Sequence, residues 1–267
     1  MWKWEAEGQP KAVDAIFHSA YEHHTWYAWL IEKLRGAGFH VVMGDLPGHG
    51  EQMKRKRYHD EDFAEYYMYA KQLIQVAHTD NLPVFIIGNG LGATIAIRTI
   101  YRNKIECAGL IIVSPWLHLK LEPGKLSKAL SSFSALTSNV KLNHDIKHNT
   151  LTRNFEVYEE MKDEVPFNTV VTVKWYRELQ HLLKMLKDPE VKIPTIPVLL
   201  MTGGRDKITD IAASKQWLVQ QNLKHFQYRE WTDSLNSLFF ELEREEVFLL
   251  TNDFMNNSLR SLGYIIK

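Results

Sequence analysis

Short, uniformly apolar segments alternate with longer segments along most of the chain. The short segments lack the polar alternation of half-exposed strands, which is typical of strands covered on both faces. The longer segments place apolar residues three and four positions apart, the spacing of an amphipathic helix. This alternation predicts an α/β fold in which helices flank a mostly parallel central sheet. Strands are predicted at 13–17, 39–43, 84–87, 109–113, 198–201 and 226–231.

Two of the predicted helices carry rows of large apolar side chains. Residues 25–34 contain Trp26, Trp29 and Leu34 at helical spacing, and residues 63–77 repeat the pattern. Rows at this spacing pack against a core far more often than they bind a ligand. We therefore expect both helices to cover the sheet.

The alternation of strands and helices stops between Trp116 and about Val191. Helix-like stretches at 127–136, 155–161 and 170–186 accumulate there without a clear apolar strand. A helical insertion after a central strand usually covers the carboxyl ends of the strands, where open α/β sheets bind ligands. We therefore interpret this interval as a cap, and the alternative is a packed subdomain that has no pocket.

This interpretation divides the chain into two parts. The predicted α/β core comprises residues 1–115 and 192–267, and the predicted helical cap comprises residues 116–191. The cap supplies large apolar side chains, which suit a pocket for an apolar ligand. We expect it to enclose an apolar cavity at the carboxyl ends of the strands.

The composition of the chain limits which binding partners and which cellular compartment are expected. The chain has 267 residues, of which 45% are hydrophobic, and its 32 basic residues balance its 32 acidic residues. A globular protein without net charge is expected, so no general attraction to nucleic acid is predicted. The single cysteine, Cys107, and the absence of a secretory signal pattern favour a cytoplasmic protein. No run approaches the roughly 18–20 apolar residues of a membrane span, and no transmembrane segment, metal or cofactor is expected.

The most specific motif follows the predicted strand at 84–87. Residues 88–93 read GNGLGA and lead into a helical pattern. This is the strand, tight turn and helix context of the nucleophile elbow, G-x-S-x-G, with Gly90 at the serine position. A phosphate-binding loop at a helix N-terminus is the alternative. The segment matches neither G-x-G-x-x-G nor the P-loop pattern, which disfavours that alternative.

Four other segments match patterns found around such an elbow. Residues 18–23 read HSAYEH, similar to H-G-x-x-E-H with Ser19 in place of glycine, and residues 45–50 match D-x-x-G-H-G. Residues 202–206, TGGRD, follow a predicted strand, and residues 231–247 end in a glutamate-rich stretch. The chain resembles the α/β-hydrolase fold family, in its bacterial lysophospholipase and monoacylglycerol-lipase-like branch of serine aminopeptidase S33 type. This resemblance spans nearly the whole chain.

The resemblance implies a catalytic triad at three positions of this sequence. They are Gly90 for the nucleophile, Asp206 for the acid and Asn236 for the histidine base. The backbone N–H groups of Ala20 and Leu91 correspond to the oxyanion donors. Glycine has no nucleophilic side chain, and an asparagine amide neither accepts nor donates a proton near neutral pH. The resemblance therefore implies that both the nucleophile and the base have been lost.

Asn236 can still fulfil part of the role of a histidine. Its amide can donate a hydrogen bond to Asp206, which would keep that carboxylate partnered, and we expect this contact. Ser19 is placed in the oxyanion loop and not on the elbow, so it is disfavoured as a substitute nucleophile. We also expect that Gly90→Ser together with Asn236→His would rebuild an active triad, whereas either change alone would not.

Three interpretations of the function remain open from the sequence. The favoured one is a pseudoenzyme that binds an acyl or lipid-like ligand in a capped apolar pocket beside Gly90. The second is a carboxylic-ester hydrolase with a non-standard nucleophile, or with a water attack held by Asp206 and the oxyanion donors. The third is an inactivated variant of such an enzyme. A less specific alternative is a purely structural interaction protein, and nothing in the sequence identifies its interface.

Overall fold

The central sheet explains the positions of all the candidate site residues. This computed structural model describes residues 1–54, 56, 58–120, 140–144, 146–161 and 169–264. Within them the strands are β1 Trp2–Trp4, β2 Ala12–Phe17, β3 Phe39–Met43, β4 Val84–Asn89, β5 Gly109–Val113, β6 Lys141–Asn143, β7 Val170–Thr172, β8 Val198–Gly203 and β9 Phe226–Trp231. Seven of these strands form one sheet in the order β1-β3-β2-β4-β5-β8-β9, and β6 pairs with β7.

The predicted mostly parallel sheet is confirmed. All six predicted strands are present, and every pairing among them is parallel. Each residue of β4 and β5 is buried, as their uniformly apolar sequences predicted. The prediction missed β1, which pairs antiparallel with β3 at the edge of the sheet. It has only three residues, and two of them are exposed, so it has no apolar pattern to detect.

Helices cover both faces of the sheet, as the alternating pattern predicted. Those in the described ranges are α1 Ala28–Gly36, α2 Phe63–Ala77, α3 Gly90–Asn103, α4 Phe155–Met161, α5 Val173–Leu186, α6 Ile211–Gln220 and α7 Arg244–Ser261. Alternate residues of β2 enter two separate apolar clusters, with Ala15 and Phe17 in one and Ala12 and Ile16 in the other. The first cluster contains α2 and α3 residues and the second contains α1 and α7 residues. No helix in these ranges is long and apolar enough to cross a membrane.

The secondary structure of the predicted cap agrees only in part with the helices predicted from its sequence. The helix predicted at 155–161 is confirmed. The helix predicted at 170–186 is wrong at its start, because residues 170–172 form β7 and the helix begins at Val173. These residues, VVT, are β-branched and favour an extended strand, and the Thr172 hydroxyl then accepts a hydrogen bond from the Trp175 N–H at 3.2 Å. The helix predicted at 127–136 lies outside the described residues.

The described part of residues 116–191 contacts the loops that follow the carboxyl ends of the strands. The Trp116 N–H donates to the Gly90 carbonyl at 3.2 Å, and the His59 N–H donates to the Val170 carbonyl at 2.8 Å. On the far side, the Ser237 N–H donates to the carbonyl of Leu151. This segment therefore lies against the loops that carry the candidate site.

Candidate functional site at the turn after strand β4

The turn from β4 into α3 has the tight geometry of a nucleophile elbow. Gly90 is buried and has φ +49°, the left-handed region that glycine adopts without strain. A Cβ atom on Gly92 would overlap the His18 carbonyl oxygen, and one on Gly88 would overlap the Ala93 backbone. The neighbouring backbones therefore approach this turn as closely as glycine permits.

The side chain of Ser19 fills the space where a side chain at position 90 would lie. A Cβ atom added to Gly90 would overlap the Ser19 Oγ and lie 2.8 Å from the Ser19 Cβ. The Leu91 N–H donates to the same Oγ at 3.3 Å. One of the two proposed oxyanion donors is therefore already hydrogen-bonded, and its partner is a serine that the sequence placed on another loop.

A buried carboxylate, Glu22, ties the two loops together. It accepts hydrogen bonds from the Ser19 N–H at 2.8 Å, the Tyr27 hydroxyl at 2.6 Å and the Asn89 amide at 3.1 Å. Burial raises the pKa of Glu22 to about 6, although these hydrogen bonds act to lower it. Because Asn89 directly precedes Gly90, this network fixes the position of Ser19 relative to the elbow.

Asp206 and Asn236 meet at the ends of the neighbouring parallel strands β8 and β9. The Asn236 Nδ2 donates to the Asp206 Oδ2 at 2.9 Å, so the predicted contact is confirmed. The backbone N–H groups of Ile208 and Thr209 donate to the other carboxylate oxygen at 2.7 and 2.9 Å. The carboxylate is thus held in one orientation, with an amide where a triad would have an imidazole.

Glu22 also links this pair to the elbow. The Ser237 hydroxyl, on the residue after Asn236, donates to the Glu22 Oε1 at 3.4 Å. One buried carboxylate therefore contacts Ser19, the residue before Gly90 and the residue after Asn236. The structure brings the loops of all the predicted site residues together at this point.

The arrangement of these loops agrees with the comparisons with known proteins. The sequence model described as "Serine aminopeptidase, S33" matches residues 8–243. The chain belongs to this family. Its resemblance to the α/β-hydrolase fold and to the lysophospholipase-like branch is therefore confirmed.

Individual relatives and solved structures align with almost all of the chain. It is 35% identical over 250 residues to phospholipase YtpA of Bacillus subtilis (strain 168), across 93% of this chain and 96% of the relative. It is 27% identical over 261 residues to the Homo sapiens monoglyceride lipase, across 90% and 83%. A soluble variant of the Saccharomyces cerevisiae monoglyceride lipase, solved in complex with a substrate analog, superposes with a TM-score of 0.80 at 16% identity. That superposition covers 96% of this chain and 90% of the yeast chain.

Buried histidines surround the site of this S33-family member, but His18 is not placed to act as a base. The His18 Nδ1–H donates to the Ser19 carbonyl at 2.7 Å, and its Nε2 accepts from the Leu46 N–H at 2.8 Å. Both ring nitrogens are thus occupied by backbone groups. Burial lowers the pKa of His18 to about 4, so the ring is neutral near pH 7. Across the described residues, no group of three or more His, Cys, Asp or Glu side chains is arranged to hold a metal ion.

Three cavities lined by described residues lie away from Gly90. The largest of three, about 410 Å³, lies between residues 149–158 and the Asp206 loop, and it includes Arg153, Lys207 and Leu235. Gly90 lines none of the three. The predicted apolar cavity beside Gly90 is not among them, and residues 121–139 of the predicted cap lie outside the described residues. Enclosure of a cavity by the cap stays a prediction.

Sequence reasoning missed the position of Ser19. Its motif, HSAYEH, placed the serine on a different loop from the elbow, and no spacing rule relates residue 19 to residue 90. The available signal was the pairing of two departures from the family pattern, a serine in place of glycine at 19 and a glycine in place of serine at 90. In the structure, the Ser19 side chain occupies the space that a side chain at position 90 would need.

Proposed function

We propose that this chain uses an S33-family scaffold to bind an acyl, lipid-like ligand without hydrolysing it through a serine triad. The observation that carries the proposal is the Ser19 hydroxyl in the space of the missing side chain at Gly90. The second support is the Asn236 amide bonded to Asp206. Nucleophile and base are therefore both replaced by groups that preserve packing and hydrogen bonding.

These replacements remove the proton transfer on which acyl transfer depends. In a serine triad, histidine takes the proton of the nucleophile and later gives it to the leaving group. The Asn236 amide cannot perform either step, and Gly90 offers nothing to attack an acyl carbon. The binding groups of such a site can still leave about 10³–10⁴-fold acceleration over water, so a residual rate of that order is compatible with the proposal.

The lipid-like character of the ligand is supported by the relatives. One is named a phospholipase, and a related fold holds an analog of the substrate of a monoglyceride lipase. We propose that residues 116–191 act as the cap over an acyl pocket, with Ala20 and Leu91 beside the elbow as the former oxyanion donors. The contacts of Trp116 and Leu151 with the site loops support this placement.

A second candidate, an ester hydrolase with Ser19 as nucleophile, is favoured by one observation. The Ser19 Oγ lies where the nucleophile of an elbow would be, next to the N-terminus of α3. The adjacent His18 does not supply the base, because both of its ring nitrogens bind backbone groups. Such an enzyme would be slow, since an unactivated serine hydroxyl is a weak nucleophile.

A covalent probe separates the two candidates. Purified protein is incubated with a fluorophosphonate and, in parallel, with short- and long-chain p-nitrophenyl esters, and lipids extracted from it are identified by mass spectrometry. We expect no labelling, ester turnover no faster than the residual rate, and co-purified lipid. Labelling that disappears in Ser19→Ala but persists in the control Ser237→Ala would replace the proposal by the second candidate. Ester turnover faster than this residual rate in both variants would refute the proposal without supporting Ser19.

A further inference from the structure

The indole of Trp116 presents a buried donor to the elbow. Its side chain is 2% exposed, and its Nε1 lies 3.2 Å from the position that a Cβ atom on Gly90 would occupy. The backbone holds the residue in place, because its N–H donates to the Gly90 carbonyl and its carbonyl accepts from the Thr94 hydroxyl at 2.9 Å. The backbone of Trp116 is therefore anchored to the elbow, and its indole lies beside Gly90.

This indole N–H has no acceptor among the described residues. The buried indole of Trp175 shows the usual arrangement, because its Nε1 donates to the Tyr66 hydroxyl at 3.0 Å. A buried donor without an acceptor is costly, which makes it a candidate for a contact with a ligand. Trp217 also has a buried indole N–H without a partner in the described ranges, but it lines a separate cavity between α5 and α6.

The usual backbone donor at this turn is already used. The Leu91 N–H donates to the Ser19 Oγ, so a ligand oxygen would have to displace that hydroxyl to reach it. The Trp116 indole N–H, in contrast, has no acceptor among the described residues that a ligand oxygen would have to replace. Among the buried side-chain donors of the described residues, Trp116 Nε1 thus lies next to Gly90 without an acceptor, on the loop after β5.

The charges around the site favour a neutral ligand oxygen. The Glu22 carboxylate bonds the backbone N–H of Ser19, and Asp206 bonds Asn236 on the neighbouring loop. Two buried carboxyl groups near the elbow oppose the entry of an anionic carboxylate. The carbonyl oxygen of an ester or amide accepts a hydrogen bond without bringing a charge.

We propose that Trp116 Nε1 binds the carbonyl oxygen of a neutral acyl ester or amide beside Gly90, in place of the Leu91 N–H. This inference rests on the proposed function, because it assigns the contact that would hold an uncleaved acyl group. It makes Trp116 a ligand-binding residue and predicts that the protein prefers esters and amides to free fatty acids.

A pair of ligands tests this contact directly. An acyl glycerol ester and the alkyl glycerol ether of the same chain length differ in the carbonyl that Trp116 would bind. We expect wild type to bind the ester about five-fold more tightly than the ether, the value of one neutral hydrogen bond. The preference should vanish in Trp116→Phe and persist in the matched control Trp217→Phe. The free fatty acid should bind more weakly than the ester.

An NMR measurement on unmodified protein avoids any folding defect of the variant. The ¹⁵N–¹H resonance of the Trp116 indole should shift downfield when the ester binds and move less with the ether. Equal affinities for ester and ether, or an unmoved indole resonance, would overturn the role of Trp116 while leaving the proposed function intact. Hydrolysis of the ester by wild type, or binding of neither ligand, would instead refute the proposed function and this inference with it.

Discussion

The side chains of residues 19 and 90 compete for one space beside the turn after β4. A Cβ atom at Gly90 would overlap the Ser19 Oγ, so a serine at both positions requires one of them to move. We therefore expect that repair of the triad by Gly90→Ser with Asn236→His also needs a smaller residue at position 19.

This competition predicts the activities of repaired variants. The double variant G90S/N236H should remain close to wild type in esterase rate, whereas the triple variant S19G/G90S/N236H should gain at least about 10²-fold, the contribution of a positioned base. Rates are measured with p-nitrophenyl esters, and S19G alone is the control. A double variant as active as the triple would show that Ser19 does not obstruct position 90.

Residue-level prediction succeeded where the motifs follow neighbouring strands. Asp206 and Asn236 come after β8 and β9, and consecutive strands of this kind usually lie side by side, so their contact could be predicted. The approach of Ser19 to Gly90 could not be predicted, because it depends on how two loops from β2 and β4 fold over each other. Local patterns contain no information about that distance.

Among the secondary-structure elements, the strands made only of apolar residues could be predicted from the sequence, whereas the three-residue strands could not. The sequence of β5, GLIIV, has no polar residue, so it predicted a strand covered on both faces. Every residue of this strand is buried. In contrast, β7 continues directly into α5, and its three residues fit the apolar spacing of the helix. Its pairing with β6 and its bridge to His59 define it as a strand, and both are tertiary contacts.

Strand β2 contains a buried acid that opposes its own burial. Asp14 is fully buried between Val41 of β3 and Phe85 of β4, and neither carboxyl oxygen has a partner among the described residues. Burial raises the pKa of Asp14 well above 3.8. An acid with a raised folded pKa contributes stability that is lost as pH rises from its unfolded pKa through its folded pKa.

Asp14→Asn should therefore stabilise the protein at neutral pH. We expect a gain of about 1–3 kcal/mol in the free energy of unfolding at pH 7, because no charge has to be suppressed on folding. The gain should shrink near pH 3, below the unfolded pKa, where the acid is mostly protonated in both states. Urea unfolding at the two pH values measures it, and an equal or lower stability of the variant at pH 7 would contradict this account of Asp14.

At the scale of the whole molecule, a group of buried histidines couples stability to pH. Burial lowers the pKa of His18 and His144 to about 4 and that of His49 to about 3, from 6.5. It also lowers the pKa of His59 well below 6.5. A base with a lowered folded pKa contributes stability that is present above its unfolded pKa and is lost as pH falls through its folded pKa.

We therefore expect the melting temperature to fall as the pH is lowered from about 6.5 to about 4. His144→Phe should reduce this fall, because phenylalanine does not take up a proton. The substitution should lose no hydrogen bond, since both ring nitrogens of His144 lack partners in the described residues. His225→Asn, at an exposed position, is the matched control and should leave the fall unchanged. A pH dependence identical in wild type and His144→Phe would exclude His144 as a contributor.

We propose that the S33-family scaffold binds an acyl ligand and leaves it intact. The most direct measurement incubates an acyl glycerol ester with an excess of wild-type protein and follows bound ester and released fatty acid by mass spectrometry. The proposed function predicts that the ester is recovered bound and intact after hours. Stoichiometric release of fatty acid within that time would contradict it and show that the protein is a working hydrolase.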